Sequence, residues 1–580
     1  MIRSNSRFMY RAAAMAGVVI GLAPMAGAQK APDFGSHVFV FRPEMPTAEM
    51  QSKIDAVYAE QQHSEFGKGR YAFLLMPGEY KLNVPVGFYT QVAGLGGTPD
   101  AVHLTGSLYS DAAEKNNNAT TTFWRSAEGI HVTPESGTVR WAVSQAVSFR
   151  RMHVSGDMVL HQKGGWASGG WMSDTMVDGN VDSGPQQQWI SRNSEWKSWT
   201  GSNWNMVFVG VPQAPAGEWP KPAYTKVAET PVVREKPFLV SDGHGRWAVR
   251  VPALARNSSG VSWKGGATAG RDVPMAAFYI AHPESDTAAT MNAALRSGKH
   301  LLLTPGTYDL DEPIQVERKD AIVLGLGFAT LRPTHGTEAM VVADSDGIIV
   351  SGILFDAGEM ISPSLLRVGE THGSRTHRDD PISLSDVFFR DGGAGIGKTK
   401  SNLVIESNDV LVDHTWIWRA DHGAGVGWTK NLSDNGLTVD GDDVTIYGLF
   451  VEHHQKFEVV WNGERGRTYF YQSEIAYDAP SQPEWTSAKG VNGWASYKVG
   501  DGVREHEAWG LGVYSVFRYP NVVLSRAIEV PEVPGVRFHH MVTVALDDKG
   551  EITHIINGAG DAATTKQPRV DPRLTEFPVR

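Results

Sequence analysis

Short apolar segments bounded by polar, glycine-rich turns run through most of this chain, and one arrangement of them occurs twice. Near the start, FVFRPEMPTAEMQ leads into FLLMPGEYKLNVPV and then VAGLGG; later, FYIAHPESDTAATMN leads into LLLTPGTYDLDEPI and then VLGLG. Pro77 and Pro305 head matching Pro-Gly-x-Tyr turns 228 residues apart, and Gly94 and Gly325 head matching Gly-Leu-Gly turns 231 apart. Order and spacing both repeat, which marks an internal duplication. Each copy reads as a helix-forming stretch, a buried strand, a Pro-Gly turn, a second strand and a Gly-Leu-Gly turn. Many right-handed parallel β-helices begin this way. The expected fold is therefore all-β: two tandem right-handed parallel β-helix modules side by side, with a groove between them.

The first module is expected over residues 29–211, where AVSFRRMHV, WMSDTMVDGNV, QQWISRNSEW and WNMVFVGV follow as rungs with one face inward. Residues 212–274 are rich in Pro, Gly, Lys and Ala, with one strand-like stretch, RWAVRVPAL, and read as the inter-module connection. The second module is expected over 275–530. Its rungs start at Asp346, Asp380, Asn408 and Asp442, which are 34, 28 and 34 residues apart. Each has a polar turn, a short apolar strand, a break and another strand, as in a coil of stacked parallel strands. An antiparallel sandwich or propeller fits less well, because Asn-Gly or Asp-Gly hairpin turns are not spaced between paired strands. Residues 531–580 read as a tail packing on the modules.

Length and composition narrow the function. At 580 residues the chain is too long for one ordinary core. A net charge of -11 and a pI near 6.0 argue against nucleic acid or an anionic membrane as partner. Arg3, Arg7 and Arg11 precede an apolar run from Ala12 to Leu22, and Ala26-Gly27-Ala28 follows as a small-x-small cleavage site. A signal peptide is expected over 1–28, with the mature chain starting at Gln29 and exported, either secreted or periplasmic. Cysteine is absent, which removes disulfides, thiol catalysis and Cys-ligated metals. A monomer without cofactor or bound metal is the expectation.

The densest chemistry lies in LVDHTWIWRADHG and LFVEHHQKFEVVWNGERGRTYFYQSEIAYD, residues 411–423 and 449–478. Across 411–478 carboxylates sit among aromatics: Asp421, Glu452, Glu458, Glu474 and Asp478 with Trp416, Trp418, Trp428 and Trp461. Glycoside hydrolysis needs one carboxylic acid with a raised pKa to protonate the leaving oxygen, and a second polar group to hold water or stabilise the transition state. Glu452 and Glu474 are 22 residues apart, a coil length that brings them to one face of neighbouring rungs. Adjacent rungs are about 4.8 Å apart. Asp421 can hydrogen-bond vicinal sugar hydroxyls and Trp418 can stack on a ring; His453 and Trp461 are further candidates for sugar contact.

The stretch from WIWRADHG to VEHHQKFEVVWNGERGRTYFYQSEIAYDAPSQ resembles the catalytic segment of glycoside hydrolase family 55. These are exo-acting β-1,3-glucanases, or laminarinases, built from two tandem pectate-lyase-like β-helices. SGPQQQWISRNSEW and the duplicated openings extend the resemblance over most of the chain. It implies that Glu474 is the general acid and Glu452 a partner carboxylate, in an inverting reaction whose water is held by polar side chains. It also implies that Trp418, Asp421 and Tyr477 line the subsite for the terminal glucose. Gln186 and Gln188 would reach in from the first module near the water, on the assumption that strand alternation points both the same way.

Other signals carry less. Neither glycine turn completes G-x-G-x-x-G, no His-Glu-x-x-His motif exists, and His453 and His454 point to opposite faces of a strand. Two alternatives stand beside a β-glucan hydrolase. A polysaccharide lyase on the same scaffold would need Lys, Arg or Ca²⁺ against a uronate, whereas this segment is acidic and aromatic. A non-catalytic carbohydrate-binding β-helix would show no turnover for Glu474→Gln to abolish.

Overall fold

The computed structural model describes residues 32–370, 375–565 and 570–578. The leader expected at 1–28 lies outside them. The described residues form two stacks of parallel strands joined by a small antiparallel region. In the first stack nine strands pair in one sheet from Val38–Phe41 to Tyr224–Val227, with a second sheet from Gly78–Pro85 onward closing the coil. In the second stack the main sheet runs from Phe278–Ala281 through Val536–Ala545, where Arg573–Phe577 pairs antiparallel and ends it. Both stacks thus run past the edges expected at 211 and 530. Met206↔Tyr224 and Trp509↔His539 continue the parallel register, because apolar residues there still face the coil interiors.

The duplicated openings have the same job. Helix Thr47–Gln61 and helix Ala288–Arg296 each precede the second strand of a main sheet. Met50, Ile54 and Val57 join the core of the first coil, and Ala288, Met291 and Leu295 that of the second. Each helix therefore plugs the open apolar end of a coil. Thr287 starts the second helix with a capping box to Thr290. The connection holds two small antiparallel sheets, Thr230–Arg234 with Leu254–Ser258, and Trp247–Pro252 between Phe238–Ser241 and Gly270–Pro274. Its Trp247, Val249 and Val251 pack between Leu74 of the first stack and Leu302 and Leu324 of the second.

Strands of the second main sheet share a local irregularity that shapes the interface. Asp386, His414, Gly448, Phe470, Gly510 and His540 all take positive φ, and the register skips each of them in turn. One extra residue per strand thus points outward, as at a β-bulge. Two are glycine because the first module fills the space: an added Cβ at Gly448 would lie 2.6 Å from Trp171, and at Gly510 2.4 Å from Val207. Around them Trp124, Trp171, Ile190 and Val207 pack against Phe388, Trp416, Tyr447 and Phe450.

Charges are buried inside that apolar contact. Arg150 donates to Asp386 at 2.8 and 2.9 Å and to Asp413 at 2.8 Å. Arg192 bridges Asp413 and Glu235, and Lys236 bridges Glu128 and Asp386. Burial would raise the Asp386 pKa, but Arg150, Lys236 and His414 outweigh it and hold the carboxyl well below its usual range. Removing one partner from such a cluster strands buried charge, at a cost of about 3–5 kcal/mol. Arg150→Ala should lower unfolding stability by that amount in denaturant titrations; an unchanged midpoint would show that the cluster does not hold the modules.

Candidate active site

The chemistry sits where strands of the second stack end against the first. Arg390, Trp418, Glu452 and Glu474 are successive register partners on four neighbouring rungs. They close the strands Ser383–Asp391, Leu411–Arg419, Thr445–Glu452 and Gly466–Glu474. Odd-numbered Ile417 and Val451 point into the coil core, so Trp418 and Glu452 point out towards the first module.

A pocket of about 250 Å³ opens there. Thr120, Thr121, Phe123, Gln145, Ser168 and Gln187 of the first module form one wall. Trp418, Asp421, His422, Glu452, His453, Glu474, Tyr477 and Leu546 form the other. Such space suits a single sugar ring, and neither module could enclose it alone.

The two glutamates are set up differently. Glu452 is buried and accepts from Gln145 Nε2 at 2.8 Å and Trp416 Nε1 at 2.9 Å. Glu474 accepts from the Tyr477 hydroxyl. Burial pushes Glu474 up to about 7, opposed by the Tyr477 bond and helped by Asp421. Burial also pushes Glu452 well above the usual carboxylate range, with the charge of Glu474 adding to it. Carboxylates on adjacent rungs in a dry site cannot both ionise freely, so the pair retains a proton near neutral pH.

Asp421 is the opposite case. Burial would raise it, but the hydrogen bond from His422, with His453 and Arg518 nearby, brings it down to about 2. His422 lies between Asp421 and Glu65 of the first module, with 2.7 Å to each. Burial disfavours its charge, yet these two carboxylates lift it to about 10. The pocket therefore offers one retained acid proton, one fixed carboxylate and a wall of neutral amides and hydroxyls. That set can protonate a leaving oxygen, grip hydroxyls and hold a water.

Comparison with known proteins agrees with this geometry. A family profile described as "LAM55 pectate lyase-like domain" matches residues 278–474, from the first strand of the second stack to Glu474 itself. The "Exo-beta-1,3-glucanase" of Streptomyces sp. (strain SirexAA-E / ActE) is 46% identical over 549 residues, covering 94% of this chain and 90% of that one. The chain belongs to glycoside hydrolase family 55. The solved structure of sacteLam55A from Streptomyces sp. SirexAA-E superposes with a TM-score of 0.92 over 94% of this chain and 99% of that one, at 46% identity. A glutamate-to-alanine variant of that protein, solved in complex with glucose, superposes equally well.

Within this family 55 site, five of the residues singled out from sequence come together: Glu474, Glu452, Asp421, Tyr477 and His453. Trp418 borders the pocket but is only 1% exposed, with Trp416 stacked at 4.7 Å and Phe66 at 6.1 Å. Its faces are covered, so it is a wall and not a stacking platform. Trp461 is a correction: it lies in the coil interior between Val439 and Val499 and cannot meet a sugar. Gln186 and Gln188 are also corrections. Gln186 spends its amide on Gly169 N, Val143 O and Leu160 O, and Gln188 lies buried below the pocket on Ser168. The strand starts only at Gln188, so alternation does not reach back, and Gln187 is the one that faces the pocket.

Gln145, Ser168 and the Glu65–His422 contact were not legible. Gln145 meets Glu452 across 307 residues, and the fragment WAVSQAV gives no sign of it. The Glu65–His422 pair yields a direct check. In protein carrying ¹⁵N-histidine, His422 should stay protonated beyond pH 9, while Glu65→Gln lowers its pKa. Titration of wild-type His422 near pH 6.5 would contradict the arrangement.

Proposed function

We propose that this protein is an exported exo-β-1,3-glucanase that removes sugar from the chain end of laminarin-type glucans, with inversion and with Glu474 as general acid. The observation that carries the reading is the raised Glu474 beside Glu452 in a pocket closed by both modules. Membership of family 55, with a relative named for this activity and one solved with glucose, supports the glucan as substrate. The leader read over 1–28 supports export.

In this reading the terminal ring enters the pocket and Asp421 accepts from its hydroxyls. Glu474, raised by burial and taken here to hold the proton the pair retains, donates it to the glycosidic oxygen as the bond breaks. The water approaches from the first-module wall, where Gln145, Ser168 and Gln187 supply polar atoms. Glu452 orients Gln145 through their 2.8 Å bond. An inverting acid and base flank the substrate about 6.5–9.5 Å apart. Glu452 and Glu474 are register partners on rungs about 4.8 Å apart, which supports Glu452 as the group that positions the water's holder, and not as a base across the ring.

A partition supports the exo mode. Phe66 of the first module sits in a slot between Gly393 and Gly423, where an added Cβ would lie 2.3 and 2.8 Å from its ring. Gly393 and Ala424 bond to each other through their backbones at 2.7 and 2.9 Å. Beyond this partition lies a separate recess of about 490 Å³ lined by Asp356, Gly392 and Ala394. In this reading the glucan is stopped at that end of the pocket.

The test is a time course on laminarin with NMR of the first product. The α-anomer of a single short product should appear from the start, and the rate should fall as pH rises through about 7, where Glu474 loses its proton. Glu474→Gln should cut turnover by about 10²–10⁴-fold. Initial β-anomer would refute inversion; full activity of Glu474→Gln would refute the acid. Phe66→Ala should open the partition and add longer oligosaccharides to the early products, whereas an unchanged product profile would remove the partition from the account.

A further inference from the structure

The second sheet of the first module carries three histidines in one register column: His103, His131 and His153. Their rings stack, His103 on His131 at 4.5 Å and His131 on His153 at 4.1 Å. Asp100, in the short turn Pro99–Ala101, places one carboxylate oxygen 3.4 Å from His131 Nδ1 and 2.6 Å from His153 Nδ1. The other ring nitrogens are engaged outward. His131 Nε2 lies 2.9 Å from Ser155 Oγ, and His153 Nε2 lies 3.3 Å from Asp178. Ser155 Oγ in turn donates to Asp178 at 3.1 Å.

This pattern has a ligand-binding logic. A neutral imidazole that donates through Nε2 leaves its Nδ1 lone pair free. His153 Nδ1 donates to Asp100 Oδ1 at 2.6 Å, and a cation that displaced this proton would meet the carboxylate oxygen and both Nδ1 atoms. Metal-ligating histidines characteristically rest their second nitrogen on a carboxylate or another acceptor, the arrangement that Asp178 and Ser155 supply here.

We propose that Asp100, His131 and His153 form a site for a divalent transition metal of the zinc class on the outer face of the first module. Their three ligand atoms lie within 4.8 Å of one another. A tetrahedral ion with bonds of about 2.0 Å keeps its ligands about 3.3 Å apart, a spacing within reach of these three atoms. The rings stack at 12°, so binding turns them about χ2 until their planes converge on the ion, and the half-exposed Asp100 leaves the fourth position to water. Two imidazoles in a set of three favour zinc, cobalt, nickel or copper over calcium or magnesium.

The site is structural in character. No pocket residue belongs to this sheet, and His131 and His153 come from neighbouring rungs while Asp100 precedes the rung before them. Trp263 of the connection packs 5.7 Å from His153 and donates to Asp174 O, so the ion would also pin the connection's return to the first coil.

The test uses the full chain without an affinity tag, stripped with EDTA and titrated with zinc chloride by calorimetry. Wild type should bind one equivalent, and zinc should raise its thermal midpoint. His131→Asn and His153→Asn should each lose that equivalent, at least tenfold in affinity, with unchanged circular dichroism. Calcium chloride should give no such binding. Absence of stoichiometric zinc binding by the wild type, equal binding by the two variants, or binding of calcium in place of zinc would each overturn the proposal.

Discussion

Arg150 reaches out of the first coil and is held between Asp386 and Asp413 of the second, with 4% or less of each side chain exposed. Buried ions contribute little net stability when compared with a well-packed apolar alternative, but they are intolerant of misplacement. Two apolar coil faces can slide by a rung and still bury hydrocarbon. Arg150, Arg192 and Lys236 cannot slide without leaving carboxylates unpaired, so the cluster specifies one register between the modules. The pocket depends on that register, because one of its walls comes from each module.

Seen this way, the unusual chemistry of Glu474 follows from packing. A glutamate at the end of an isolated β-helix strand would face water and ionise normally. Here the first module covers the strand ends, and desolvation is the leading cause of the upward shift at both Glu474 and Glu452. Asp421 is just as enclosed but has a protonated histidine beside it, and it moves the other way. Neighbouring carboxylates in one pocket thus take opposite protonation states. His422 keeps its proton through Asp421 first and then through Glu65, which arrives from the other module, so part of this contrast depends on the docking.

How far the sequence discloses this arrangement depends on the kind of information each part needs. The duplicated openings were legible because local turn chemistry repeats: Pro-Gly and Gly-Leu-Gly signals require no knowledge of tertiary contacts. Glu452 and Glu474 were legible because one coil length separates them. Gln145 was not, since its partner is 307 residues away and only module docking joins them. Trp461 misled because composition draws attention to a tryptophan near carboxylates, whereas burial depends on which way its short strand faces. Gln186 lies outside the strand that begins at Gln188, so alternation does not relate the two.

The column of left-handed residues shows why alternation is an unsafe guide in this fold. In Leu411–Arg419, Val412 points inward, so strict alternation would also turn Trp416 and Trp418 inward. His414 at φ 75° adds one outward residue, and Thr415 and Ile417 take the inward places instead. The same shift at Gly448 and Phe470 sends Glu452 and Glu474 out of the core. Those inserted positions are also where the modules interlock: Asp386 bonds Arg150, His414 stacks on Trp171 at 5.2 Å, and Gly448 yields space to that tryptophan. One repeated backbone irregularity therefore both turns the two glutamates towards the first module and supplies contacts that bring that module over them. Replacing it by regular strand would bury the acids in the coil and remove the interface together, so neither feature could have been kept without the other.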